Sequence, residues 1–191
     1  SVKPQNLADV GEELRGHIQT RAVVLSIIAG ATIAKISQAL HHYRVVRVMP
    51  NTPCLVQAMA AGYAFGSRVR LQDRELVKQL LGAAGYAAEV EESLLDCVTG
   101  LSGSGPAFVA RLIEAFIEAG KRLGLKPEVT RNLALQTFYG TAKLLADTGM
   151  KPQQLVEMVS SPRGTTVAGR QILEASAYAE VIGETIRAAT E

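Results

Sequence analysis

The sequence predicts an α/β domain with a parallel sheet, followed by an all-α domain. Residues 22–28 form a continuous apolar run rich in Val and Ile, which is typical of a strand buried on both faces of a parallel sheet. A helical pattern over 33–40 and a second Val-rich run over 43–49 complete a strand–helix–strand unit. From residue 94 onward, no convincing strand pattern remains.

The change in character near residue 92 divides the chain. We expect an α/β domain over residues 1–92 and a helical domain over 93–191. The remaining elements of the first domain follow from shorter patterns: a helix over 6–15, a strand over 60–65, a helix over 72–84 and an edge strand over 86–90. In the helix over 72–84, Leu76, Leu80 and Leu81 are expected on one face.

Pro and Gly mark the ends of the helices in the second domain. After a loop over 100–105, Pro106 suits the first turn of a long helix, and Gly124 suits its end. Further helices are predicted over 127–148, 152–159, 165–176 and 178–189. Their apolar stripes are broader than a bundle of this size needs, so we expect them to pack against a second copy of the chain.

Composition excludes several classes of protein. The 191 residues carry a net charge of +2 without a basic run, which gives no reason to expect nucleic acid or a membrane surface as partner. The most apolar run, 22–34, is too short to span a bilayer. Cys54 and Cys97 match no metal or redox spacing, and no signal-peptide pattern opens the chain, so we expect reduced thiols in the cytosol.

The three histidines give no sign of a catalytic or metal site. His17, His41 and His42 have no partner pattern around them, and we interpret all three as surface or turn residues. No cluster of His, Cys, Asp and Glu has the spacing of metal ligands, so no metal is expected.

A polar loop over residues 160–166, SSPRGTT, joins two helical patterns. The start of a helix presents free backbone N–H groups and the positive end of its dipole, which bind a carboxylate or a phosphate. Ser161, Thr165 and Thr166 add hydroxyl groups beside that anion. The alternative is a helix–helix turn in which these residues are only N-caps.

Two turns follow the predicted parallel strands. Ligands of such sheets lie beyond the carboxyl ends of the strands, which makes residues 28–30 and 50–53 candidates. The alternative is that both are tight turns without a ligand. Residues 103–105, Gly-Ser-Gly, are rejected as a phosphate loop because Pro106 follows and no acidic residue lies at the expected distance.

Four segments resemble one family. VSSPRGTTVAGRQILE over 159–174 is similar to the signature of pyrroline-5-carboxylate reductase, the enzyme that makes proline. VMPNTP over 48–53, TGLSGSGPA over 99–107 and VKP over 2–4 match further segments of that family in the same order. The resemblance spans nearly the whole chain and identifies the first domain as part of a Rossmann-type domain.

The resemblance implies a reaction and its residues. The family reduces the cyclic imine 1-pyrroline-5-carboxylate to L-proline with NADPH or NADH. It implies Thr166 as the hydroxyl beside the ring nitrogen, and Ser161, Gly164 and Thr165 with Thr166 around the substrate. The cofactor is expected along the following residues: Val2, Lys3, Pro4, Ile27, Ile28, Ala29, Asn51, Ser104 and Pro106.

The resemblance also implies a homodimer formed through the helical domain. A ring of five dimers, which is common in the family, stays open. Two departures matter: Arg163 stands where the family mostly has Gly, and the family's first phosphate-binding βαβ unit is missing. We therefore expect this chain, as given, to bind NADPH weakly and to reduce little substrate.

Two alternatives remain at this stage. One is a two-domain dehydrogenase acting on a hydroxy acid, which typically places a Lys on the helix after a glycine-rich turn. Here that helix has no Lys before Lys121, which argues against it. The other is a non-catalytic dimerisation or regulatory module, favoured by the missing phosphate loop and opposed by the intact loop over 160–166.

Overall fold

The computed structural model describes residues 2–161 and 164–191. The chain divides into two compact units, one of Ser1–Pro106 with Thr185–Glu191 and one of Ala107–Glu184. The class predicted from the sequence, α/β followed by all-α, is confirmed. The domain boundary at 92/93 stays a prediction.

The first unit contains a four-stranded sheet in the order β1-β2-β3-β4. The strands are β1 (Val24–Ser26), β2 (Val45–Met49), β3 (Met59–Phe65) and β4 (Gly85–Glu89). The helices among them are α1 (Leu7–Leu14), α2 (Ile33–Leu40) and α3 (Leu71–Gly82). Short 3₁₀ turns lie at Pro4–Asn6, Thr52–Val56 and Glu92–Leu94.

The sheet is mixed, whereas the sequence pattern predicted a parallel one. β1 pairs with β2 and β3 with β4 in parallel, but β2 and β3 are antiparallel, with Val46 opposite Phe65. The cause is the connection between β2 and β3, which consists of residues 50–58. A parallel crossover needs about a dozen residues or more, so this segment returns the chain in the opposite direction.

The strand predicted over 22–28 is shorter and less buried than expected. Only Val24–Ser26 are paired, and Val24 and Leu25 are half-buried. In the described sheet β1 is an edge strand, which has a neighbour on one side only. The expected burial on both faces was therefore wrong for this strand, although it holds for β2, whose Val45 and Val46 are fully buried.

The core of the first unit lies between the sheet and α3. Val46, Val48 and Tyr63 from the sheet pack with Val77 and Leu81 of α3. These two α3 residues are one helical turn apart and so face the same side.

The predicted apolar face of α3 is wrong in two of its three residues. Leu81 is buried, but Leu76 and Leu80 are 63% and 58% exposed. The sequence pattern is compatible with an apolar stripe through Leu76 and Leu80 or with one through Val77 and Leu81. Packing of Val77 against the sheet buries the second stripe.

Five helices follow the short α4 (Leu95–Val98). They are α5 (Gly105–Arg122), α6 (Pro127–Thr148), α7 (Pro152–Met158), α8 (Thr165–Glu174) and α9 (Tyr178–Ala188). Gly149 ends α6 in the left-handed conformation, with φ of 66°, as is common for a glycine just after a helix. No helix in the described part of the chain is long and apolar enough to cross a membrane.

The segment before α5 is helical, whereas we expected a loop over 100–105. Thr99–Gly103 form a π-helical turn that is closed by the bond from Ser104 N–H to the Thr99 carbonyl, at 2.8 Å. A Cβ on Gly100 would lie 2.7 Å from the carbonyl oxygen of Ile186. Glycine therefore permits a close approach here rather than marking a loop.

The second unit buries few of its own side chains. Within its described residues, only Thr130 and Ala134 are buried. Phe116 of α5 meets Phe138 of α6 edge to face at 5.0 Å, yet Phe116 remains 56% exposed. The unit therefore leaves much apolar surface in contact with solvent, as the broad stripes in its sequence predicted.

Candidate functional site

The predicted anion loop leads into α8 in the second unit. Ser160 and Ser161 follow α7, and Gly164 is the N-cap residue of α8 with φ −75° and ψ 160°. The N–H of Gly164 donates to the carbonyl of Ser161 at 2.9 Å. Pro162 and Arg163 lie outside the described residues, so the expected effect of Arg163 stays a prediction.

The start of α8 has no side-chain cap. Gly164 carries no side chain, and no other described side chain bonds to the first turn. The N–H groups of Val167 and Ala168 both donate to the Gly164 carbonyl, at 3.1 and 3.4 Å. Those of Thr165 and Thr166 have no acceptor among the described residues, as expected for the first residues of a helix. The interpretation of the Ser and Thr residues as N-caps of this helix was therefore wrong.

Glycine at the start of α8 leaves room for the close approach of Ser161. A Cβ on Gly164 would lie 2.5 Å from Oγ and 3.0 Å from the carbonyl oxygen of Ser161. Thr165 and Thr166 are exposed, with hydroxyl groups that bond to no described residue. The result is a helix start with free donors, two free hydroxyl groups and the positive end of the helix dipole, which suits a small carboxylate.

Three of the predicted cofactor residues line one cavity in the first unit. Val2, Ile27 and Ile28 contribute to a cavity of about 360 Å³. The other residues that line it are Leu7, Val10, Leu14, Val24, Leu25, Ser26, Ile36 and Leu40. Ser26 Oγ accepts the Ile28 N–H at 3.4 Å and is the one polar side chain in this wall. Lys3, Pro4 and Ala29 are exposed beside these residues in sequence.

The remaining predicted cofactor residues lie around the carboxyl end of β2. Asn51 follows β2, and its Oδ1 accepts the Ala60 N–H at 2.9 Å, which fixes the turn. A Cβ on Gly103 would lie 2.7 Å from Cε of Met49, the last residue of β2. The π-helical turn that leads to Ser104 and Pro106 therefore packs against this strand end. Asn51, Ser104 and Pro106 are all half-buried.

Family comparison gives one consistent result. A family model described as pyrroline-5-carboxylate reductase dimerisation matches residues 92–191. The pyrroline-5-carboxylate reductase of Synechocystis sp. is 41% identical over 189 residues, which cover 99% of this chain and 70% of that enzyme. The chain belongs to the pyrroline-5-carboxylate reductase family.

Solved structures of the family have the same fold. The pyrroline-5-carboxylate reductase of Coxiella burnetii superposes with a TM-score of 0.94 at 34% identity, covering 100% of this chain and 72% of that one. The Plasmodium falciparum pyrroline carboxylate reductase, whose structure has NADP bound, gives 0.87 at 31% identity with the same coverage. The chain spans 60% to 70% of the length of the curated family members that it matches.

One histidine differs from its predicted environment. His17 and His41 are exposed, but His42 is buried, with 8% exposure. Its Nε2 lies 2.9 Å from the Ala22 carbonyl. Because a carbonyl oxygen only accepts, Nε2 is the donor of this hydrogen bond. His42 therefore joins the segment before β1 to the segment before β2 and is not a surface residue.

One polar group of the loop over 160–166 has no role predicted from the sequence. Oγ of Ser160 is buried and has no hydrogen-bond partner in the described structure. A buried hydroxyl without a hydrogen-bond partner is uncommon in folded proteins, so Ser160 is a further candidate residue of this site. The sequence does carry a signal for this residue, because two serines stand side by side at 160 and 161. Only Ser161 was assigned to the substrate.

The described residues also bear on the expectations for metal ligands and thiols. Among the described residues, no group of three or more His, Cys, Asp and Glu side chains could hold a metal ion. Cys54 and Cys97 are both free and exposed. At the described residues of the loop, 160–161 and 164–166, the polar side chains are the hydroxyl groups of Ser and Thr.

Proposed function

We propose that this chain supplies the substrate-binding part, the dimer-forming part and a portion of the cofactor-binding part of a reductase. The reaction is the NAD(P)H-dependent reduction of 1-pyrroline-5-carboxylate to L-proline, the last step of proline biosynthesis. The observation that carries the proposal is the uncapped start of α8, where free N–H groups stand beside two exposed threonine hydroxyl groups. Family membership supports the choice of substrate.

The substrate carboxylate is assigned to the first turn of α8. Thr165 and Thr166 offer N–H groups without acceptors, and Ser161 adds an exposed hydroxyl. Gly164 contributes differently, because its own N–H already donates to Ser161 and its missing side chain leaves room for that contact. The helix dipole adds to the attraction of the anion.

Thr166 is assigned the chemical role. Its hydroxyl lies at the start of α8 and hydrogen-bonds to the ring nitrogen, holding the imine in place while the nitrogen gains a proton from solvent. Hydride addition to the imine carbon turns the C=N bond into a single bond, and the nitrogen becomes the secondary amine of L-proline. The reduced nicotinamide of the cofactor supplies that hydride when it is bound. The protein contributes orientation, so no strong acid or base is required.

The cofactor residues fit a dinucleotide in their chemistry. Val2, Ile27 and Ile28 provide apolar wall in one cavity, which suits the face of a flat ring. Lys3, Pro4 and Ala29 continue this surface. Asn51, Ser104 and Pro106 are assigned to the nicotinamide end, because they lie around the carboxyl end of β2, where ligands of α/β sheets bind.

A homodimer is proposed for the helical part. In the described structure of α5, no side chain is fully buried, and Val109, Leu112 and Phe116 lie three and four residues apart with 45% to 56% exposure. A helix with such a stripe needs a partner surface, and a second copy provides one. Assembly of dimers into a larger ring is left open.

A reducing compartment, the cytosol, is proposed for the protein. Cys54 and Cys97 are exposed and free, as thiols remain in a reducing environment.

Two measurements test the function. The first is calorimetric titration of this chain with L-proline, which needs no cofactor and probes the carboxylate site alone. The second is the rate of NADPH oxidation with 1-pyrroline-5-carboxylate, measured at high concentrations of chain and NADPH because this chain is expected to bind NADPH weakly and to turn over slowly. Thr166→Ala should lower kcat by about a hundredfold, because it removes a group that acts on the reacting nitrogen. Thr166→Ser should restore most of the rate.

Thr137→Ala is the matched control. Thr137 lies on the exposed face of α6, and its hydroxyl bonds back to the Leu133 carbonyl at 2.8 Å. This variant should keep both L-proline binding and the rate. The proposal fails if L-proline does not bind, or if Thr166→Ala reduces the imine as fast as the unmodified chain.

A further inference from the structure

A second cavity, which we call the basic cavity, lies at the end of the sheet where β2 begins and β3 ends. The proposed cofactor residues that follow β1 and β2 lie at the opposite end. The basic cavity has a volume of about 450 Å³ and is lined by Thr20, His41, His42, Tyr43, Arg44, Arg68 and Arg70. These residues precede β1 and β2 or follow β3. Because β3 runs antiparallel to β2, the carboxyl end of β3 lies beside the amino end of β2 at this end of the sheet. Residues 27–29 follow β1 and Asn51 follows β2, so they lie at the other end of the sheet.

Arg44 forms the buried wall of the basic cavity. It is 8% exposed, and its Nη2 pairs with the Asp73 carboxylate while its Nη1 donates to the Thr20 carbonyl at 3.3 Å. The remaining donor, Nε, is buried and has no hydrogen-bond partner in the described structure. A buried guanidinium nitrogen without a hydrogen-bond partner is uncommon, and the positive charge of Arg44 lies in the wall of this cavity.

The two arginines on the open side add positive charge beyond the Arg44–Asp73 ion pair, although Arg70 also interacts electrostatically with Asp73. Neither Arg68 nor Arg70 has an ion pair with any described carboxylate, although the Arg70 backbone N–H bonds to Asp73 at 3.1 Å. Arg68 lies over the ring of Tyr43, with 5.8 Å between its Cζ and the ring centroid. Three guanidinium groups therefore face one carboxylate, and two positive charges remain.

We propose that the basic cavity binds a phosphate dianion, either inorganic phosphate or the phosphate group of a nucleotide. A dianion balances the two unpaired charges. Guanidinium groups match phosphate oxygens in pairs, and the hydroxyl groups of Thr20 and Tyr43 with the His41 ring supply donors for the others. Phosphate is favoured over a carboxylate because donors from three separate segments surround the space, which suits a tetrahedral group with several oxygens.

Tyr43 distinguishes the two sources of phosphate. Its ring is 60% exposed beside the arginines, which would let a nucleotide base stack on it. Free phosphate makes no use of this ring.

The test is calorimetric titration of the 191-residue chain with inorganic phosphate, AMP and adenosine at constant ionic strength. We expect saturable binding of phosphate and no binding of adenosine at this cavity. Arg68→Gln and Arg70→Gln should each weaken phosphate binding about tenfold, the usual effect of one charge-assisted hydrogen bond. Both arginines lie on the surface, and circular dichroism will check that the variants are folded.

Arg131→Gln is the matched control, because Arg131 is exposed on α6 and makes no described ion pair. If AMP binds more tightly than phosphate and Tyr43→Leu removes the difference, the ligand is a nucleotide. Equal affinities assign inorganic phosphate. The proposal is overturned if phosphate shows no saturable binding, if the double variant Arg68→Gln/Arg70→Gln binds it unchanged, or if Arg131→Gln loses as much.

Discussion

Replacing Asp73 with Asn should destabilise the first unit more than most single changes. Asp73 lies in the first turn of α3 and pairs with Arg44, which precedes β2. The same carboxylate accepts the Arg70 N–H at 3.1 Å, which completes the start of α3. One side chain therefore joins the helix to the sheet and caps the helix.

The size of the effect follows from burial. The side chains of Arg44 and Asp73 are 10% and 15% exposed, so removing the negative charge leaves a nearly buried guanidinium without its partner. Breaking a buried pair in this way costs about 3 to 5 kcal/mol. Asn keeps the shape and one acceptor oxygen, so we expect the lower end, about 3 kcal/mol at neutral pH.

The effect should depend on pH with a defined sign. A hydrogen bond from Arg44, together with one from the Arg70 backbone, holds the pKa of Asp73 below its ordinary value of 3.8. A lowered pKa means that the folded state favours the carboxylate, so the contribution is complete above 3.8 and is lost as the pH falls through the lowered pKa. The difference in stability between the wild type and Asp73→Asn should therefore shrink in acid.

Urea unfolding followed by far-ultraviolet circular dichroism measures this difference. Asp147→Asn is the control, because Asp147 pairs with Lys143 on α6 with both side chains more than half exposed. Its loss should stay below about 0.5 kcal/mol. A loss below about 1 kcal/mol for Asp73→Asn at neutral pH, or a loss that does not diminish in acid, would refute the reasoning.

Two further changes test packing and assembly. Gly62→Ala should lower stability by about 1 to 3 kcal/mol, because its Cβ would lie 2.7 Å from Val98 Cγ2. Thermal unfolding measures this loss. Gly82→Ala, whose Cβ meets open space, is the control that shows whether only the site in β3 is sensitive. Leu112→Gln on the exposed stripe of α5 should shift sedimentation toward the monomer, while Arg111→Gln, at an 81% exposed side chain on the same turn, should not. Unchanged sedimentation of Leu112→Gln would mean that this stripe is not the dimer interface.

Local signals located the helices well. Thr32 accepts the Lys35 N–H at 3.2 Å and starts α2 at Ile33, where the pattern placed it. Pro127 and Gly149 mark the ends of α6 in the same way. These signals are readable because a cap or a helix end depends on residues within about one turn of each other.

Candidate sites were predictable to the extent that they were local. The SSPRGTT loop stands in one stretch of sequence, and its place at the start of a helix is confirmed. Whether its Ser and Thr side chains cap that helix could not be predicted from the sequence, because Ser and Thr are common both as N-caps and in turns. Only the conformation at Gly164 decided it.

The sequence by itself determined the order of the elements, the family and the residues proposed for the substrate. The tertiary structure alone decided the direction of β3, the buried face of α3 and the grouping of Arg44, Arg68 and Arg70 around one cavity. The physical reason is distance along the chain. Arg44 and Asp73 are 29 residues apart, and a contact of that kind is set by the packing of helix on sheet, which no local pattern encodes.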